Sequence, residues 1–69
     1  MGMAESKRER MEAMESKLQF APSEGYSIVD LEEELGIDRS TAHRYLKEIG
    51  TRRELIKVSH GHFRLDPAH

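Results

Sequence analysis

Two short segments with apolar stripes at helical spacing are separated by a turn of only three residues, Gly36-Ile37-Asp38, and that spacing restricts the chain more than any other feature. Ahead of it, Ile28, Leu31 and Leu35 recur at intervals of three and four, the period of one helix face. Behind it, with Ala42 as zero on a helical wheel, Tyr45, Leu46 and Ile49 fall within about 60°. Gly36 suits a left-handed helix stop, and Asp38 suits the N-cap of the next helix. Helices of about Ile28–Leu35 and Arg39–Ile49, joined this tightly, bury their stripes only by leaning on one another and on neighbours.

The flanks supply those neighbours. Ala4 to Phe20 reads as a first helix, free of Gly and Pro, with Met11, Met14 and Leu18 on one stripe. Its start, Ala4 to Arg10, has no apolar stripe and is expected to fray. With Met3, the methionines and Leu18 either pack inward or form a dimer seam. Ala21-Pro22-Ser23-Glu24-Gly25 ends the helix. Tyr26-Ser27 reads as a very short strand, and Ser27 with Asp30 as a capping-box-like start for the second helix. Past Gly50, where the third helix is expected to end, Thr51 to Glu54 is a basic connection. The period then alternates, through Leu55–Ser59 and His62–Leu65 about a His60-Gly61 turn. This hairpin is expected to bring Ile56, Val58, Phe63 and Leu65 to the core.

The fold class expected is therefore α+β and mainly helical, with three helices followed by a two-stranded hairpin. One domain spans residues 4–66. Met1-Gly2-Met3 reads as a cloning remnant and the start, and 67–69 as a tail.

Size and composition narrow the function. A chain of 69 residues buries only about 60% of its unfolded surface. It has no cysteine, hence no disulfide and no thiolate chemistry. A water-excluding catalytic pocket needs more walls than this, so no enzyme and no cofactor are expected. His43, His60, His62 and His69 lack the companion ligands of a metal site. No apolar run approaches the roughly 18 residues of a membrane span, and a cytoplasmic protein is expected. The net charge of −2 hides a gradient, because residues 1–36 carry −5 and residues 37–69 carry +3. Such asymmetry points to polyanion contact. Glu32, Glu33 and Glu34 lie mostly outside the second helix's stripe, and any that faced a duplex would repel its phosphates.

Tyr26 to Leu65 resembles winged helix-turn-helix DNA-binding domains. Leu35-Gly36-Ile37 followed by Ser40-Thr41-Ala42-His43-Arg44-Tyr45-Leu46 is similar to the helix-turn-helix of IclR-like and related bacterial and archaeal regulators. The resemblance implies double-stranded DNA binding by a small transcription regulator, with the hairpin as a short wing. It carries DNA contact to Arg39, Ser40, Thr41, His43 and Arg44. The residues agree independently of the family. On the wheel, Ser40, His43, Arg44 and Lys47 fall opposite the apolar stripe, and a helix about 10–12 Å across fits a major groove about 12 Å wide. Arg52, Arg53 and Lys57 are expected to add backbone contacts, with His60, His62 and Arg64 as further wing candidates. Asp38, as a cap, would compete with a phosphate for the helix's first amides. Such regulators often act as homodimers. The alternative is a protein-interaction or adaptor module of a replication or other multiprotein machine, similar in element order to the terminal winged helices of archaeal replicative helicases.

Overall fold

A computed structural model describes residues 6–66, as α1 (Lys7–Gln19), β1 (Tyr26–Ser27), α2 (Ile28–Leu35), α3 (Arg39–Gly50), β2 (Leu55–Ser59) and β3 (His62–Leu65). Residues 1–5 and 67–69, which include Met3 and His69 and carry the remnant and tail readings, lie outside the described residues. Within them the fold is a small α+β arrangement of three helices and one three-stranded antiparallel sheet, ordered β1-β3-β2.

The first helix starts more firmly than its composition suggests. The Ser6 hydroxyl accepts the Glu9 amide, and the Glu9 carboxylate accepts the Ser6 amide, so Ser6-Lys7-Arg8-Glu9 is a complete capping box. Met11, Met14 and Leu18 all point inward, and none remains for a dimer seam.

At α2 the capping differs from expectation. The Ser27 hydroxyl accepts from the Val29 amide, and Asp30 does not reciprocate. The Ile28 amide instead donates to the carbonyl of Gly61, 2.9 Å away, so the hairpin turn is fastened to the start of α2. Gly36 closes α2 with φ +67°, and the Glu32 carbonyl accepts both the Gly36 and Ile37 amides. α3 ends as expected at Gly50, its last helical residue, and Thr51 caps it by donating its hydroxyl to the Glu48 carbonyl at 2.6 Å.

The hairpin carries a third strand and a bulge. β1 pairs with β3 through Tyr26↔Phe63 and Ser27↔His62, which makes the sheet three-stranded rather than two-stranded. Leu55 pairs with Leu65 and Lys57 with Phe63, but Ser59 pairs with His62, leaving Val58 as an extra residue. Leu55, Phe63 and Leu65 consequently join the core. Ile56 sits opposite Arg64 on the other face of the pleat, and Val58 is exposed. With Leu55 and Ile56 adjacent, either phase of the alternation supplied an apolar residue. Pairing to Leu65 selected Leu55.

Eleven buried side chains form the core: Met11, Met14, Leu18, Ile28, Leu31, Leu35, Ala42, Tyr45, Leu46, Ile49 and Leu65. They come from all three helices and from β3, so α3 is held by its neighbours along its whole inner side.

Gly25 sets the approach of the first loop to the sheet. Its φ is +90°, and a Cβ there would lie 3.1 Å from the Phe63 nitrogen and 3.2 Å from the His62 carbonyl carbon. Both are backbone atoms that cannot swing away. Gly25→Ala is expected to destabilise the fold by about 2 kcal/mol, read in a urea titration. An unchanged midpoint would contradict this account of the loop.

Candidate nucleic-acid interface

The outer side of α3 is built by exclusion. Ala42, Tyr45, Leu46 and Ile49 are no more than 4% exposed. At 100° per residue their burial leaves Ser40, His43, Arg44 and Lys47 facing solvent, and all four are exposed. Thr41 is half-buried at the helix start, and its hydroxyl accepts from Arg44 Nη2 at 3.3 Å.

The N-terminus of α3 is occupied by its own cap. Asp38 Oδ1 accepts the Thr41 amide at 2.8 Å and the Ser40 hydroxyl at 3.2 Å. The Thr41 and Ser40 hydrogen bonds, with the nearby Arg44 charge, hold the Asp38 carboxyl below the usual range. An incoming phosphate would meet this carboxylate at the helix start.

The basic residues fall into two sets. Arg39 donates through Nε to Glu32 of α2, across the inter-helix turn. Arg52 Nη2 lies 3.4 Å from Glu15 Oε1, and Arg53 Nη1 lies 2.9 Å from Glu15 Oε2 and 3.4 Å from Gln19 Oε1. These three arginines, all candidate DNA contacts, are thus tied to carboxylates on α1 and α2, and Arg53 is also the most enclosed of them. Lys47, His43 and Lys57 are exposed and make no ion pair among the described residues. Of the other wing candidates, His60 is exposed. His62 and Arg64 are half-buried, with the His62 ring Nδ1 against the His60 carbonyl at 3.1 Å. The hairpin turn is tied to the start of α2 through the hydrogen bond from the Ile28 amide to the Gly61 carbonyl.

No family model, curated protein or solved structure gives a match to this chain.

The ion pairing of Glu15 and Glu32 leaves no local mark in the sequence. Glu15 meets arginines 37 and 38 positions away, and Glu32 meets Arg39 only because Gly36 reverses the chain. The remaining acid of the α2 cluster with a tertiary role is Glu34. It accepts from Lys17 Nζ at 2.7 Å and from the Tyr26 hydroxyl, and Lys17 lies 5.8 Å over the Tyr26 ring. This group joins α1, β1 and α2. No helix among the described residues is long and apolar enough to cross a membrane.

The Lys17 hydrogen bond, then that of Tyr26, lowers the Glu34 carboxyl below its ordinary value. The Glu34 hydrogen bonds raise both Lys17 and Tyr26. A carboxylate depressed in the folded state contributes stability above its unfolded value, and this is lost as pH falls through the folded one. Glu34 and Asp38 therefore stabilise the fold at neutral pH, and their contribution is lost progressively as pH falls below the ordinary carboxylate range. Acid unfolding followed by circular dichroism is expected to be shallower in Glu34→Gln than in the wild type. Superimposable pH profiles would remove Glu34 from this role.

Proposed function

We propose that this chain is a winged helix-turn-helix module, of the kind found in IclR-like and archaeal-type small regulators, that binds double-stranded DNA. In this reading α3 enters the major groove and the protein serves as a transcription regulator. The observation that carries it is the two-sidedness of α3. An exposed row of hydroxyl, imidazole, guanidinium and ammonium donors backs onto a stripe that is almost wholly enclosed. Arg44 has the fork for guanine O6 and N7 or for a phosphate. Ser40 and His43 suit base edges or backbone, and Lys47 and Lys57 supply point charges to phosphates.

A residue-resolved NMR titration with duplex DNA tests it. Shift changes are expected to concentrate on residues 39–47 and on the hairpin, and to weaken as salt rises. Changes confined to α1 or α2 would sink this docking. The absence of any salt-dependent change would favour the adaptor reading. That second reading draws on the exposed Val29, Asp30 and Glu33 of α2, an acidic surface with one apolar residue and no ion pair among the described residues.

A further inference from the structure

We infer that Glu15 and Glu32 are built-in brakes on the same surface, masking three arginines that would otherwise add to its hold on a nucleic-acid backbone. This rests on the duplex-binding reading above.

An arginine strengthens polyanion binding by neutralising a phosphate and releasing a condensed counterion. One already facing a carboxylate has little net charge to offer. To reach a phosphate, Arg39, Arg52 or Arg53 must leave its acid behind. The acids are poorly placed to be abandoned, because the side chains of Glu15 and Glu32 are each only 20% exposed while those of Arg39 and Arg52 are 57% exposed. A sheltered carboxylate stripped of its partner loses solvation it cannot recover in place. The guanidinium can swing out, but the acid cannot follow it into water.

The arrangement is also distributed along the chain. Arg39 opens α3, and Arg52 and Arg53 follow it, so the masked charges bracket the exposed row of Ser40, His43, Arg44 and Lys47. The two masking acids come from the −5 half of the molecule. With the brackets neutralised, the sequence-independent component of binding falls chiefly to Arg44, Lys47 and Lys57.

The test uses the full chain, a labelled duplex of randomised sequence, and fluorescence anisotropy at several salt concentrations between about 50 and 200 mM. Glu15→Gln and Glu32→Gln are compared with Glu33→Gln, which removes an exposed α2 charge that makes no ion pair among the described residues. Glu15→Gln and Glu32→Gln are expected to tighten binding roughly three- to tenfold and to steepen the log–log salt slope by about one per arginine released. Glu33→Gln is expected to shift affinity less than about twofold, as a distant screened charge does. Thermal melts establish that each variant is folded. Should Glu15→Gln loosen the attachment of α1, Glu32→Gln carries the test alone.

Wild-type binding with no tightening in Glu15→Gln or Glu32→Gln overturns the brake and leaves DNA binding standing. Equal tightening in Glu33→Gln overturns it as well, because general charge would then suffice. No binding by the wild type or either variant at the lowest salt defeats both readings together. Binding by a variant where the wild type shows none supports the brake and overturns duplex binding by the unmodified chain.

Discussion

Arg44→Ala is expected to lower affinity for duplex DNA by roughly 10- to 100-fold while leaving the melting temperature nearly unchanged. The argument starts from its position. Arg44 is exposed on the outward side of α3, one turn after Thr41, whose hydroxyl already takes one of its donors at 3.3 Å. That bond holds a long side chain near the helix and reduces the entropy lost on binding. A bidentate guanine contact is worth about 1–3 kcal/mol of discrimination, which sets the expected loss. Arg44→Lys retains charge but not the fork, so it is expected to recover salt-dependent binding without recovering sequence preference. Lys47→Ala is expected to act differently, weakening binding to all sequences alike and reducing the salt slope by about one. Anisotropy titrations on a sequence selected from a random pool separate these outcomes. Wild-type affinity in Arg44→Ala would take Arg44 out of the interface.

Ile49→Ala attacks the other side of the same helix. Ile49 is fully enclosed on α3, in the cluster that also holds Met14, Leu18, Leu31 and Leu65. Truncating a buried isoleucine costs about 2–5 kcal/mol, the range depending on how far the cavity collapses. A chain of 69 residues, at roughly 0.05–0.15 kcal/mol per residue, holds only about 3–10 kcal/mol in total. The variant is expected to be largely unfolded at 37 °C or to melt far below the wild type in calorimetry. DNA binding is expected to fall with it, because the outward row exists only while the inward stripe is locked. Phe20→Ala provides the contrast. Phe20 is 80% exposed at the end of α1, and its loss is expected to shift stability by less than about 0.5 kcal/mol. Similar melting of Ile49→Ala and Phe20→Ala would contradict the core described here.

Much of this arrangement is legible in the order of residues. Ile28, Leu31 and Leu35, the Gly36 stop, the Asp38 cap and the stripe of α3 each involve partners within a few positions, and the structure carries all of them. The firm start of α1 was legible as well, in the spacing of Ser6 and Glu9, although the lack of an apolar stripe pointed the other way. The hairpin was readable as a hairpin, with Gly61 at φ +78° in its turn. Its phase was not, since Leu55 and Ile56 are equally apolar and the bulge at Val58 leaves no local mark.

Periodicity, caps and turn residues act over one or two helical turns, so the chain's own order decides which segments become helices and which side of α3 meets water. Which cations remain available on that side is settled elsewhere. Glu15 reaches Arg52 and Arg53, and the Gly61 carbonyl reaches Ile28, only after separate elements have docked. Short-range geometry selects the elements, whereas charge pairing across 37 or 38 positions depends on distances that exist only once the core has closed.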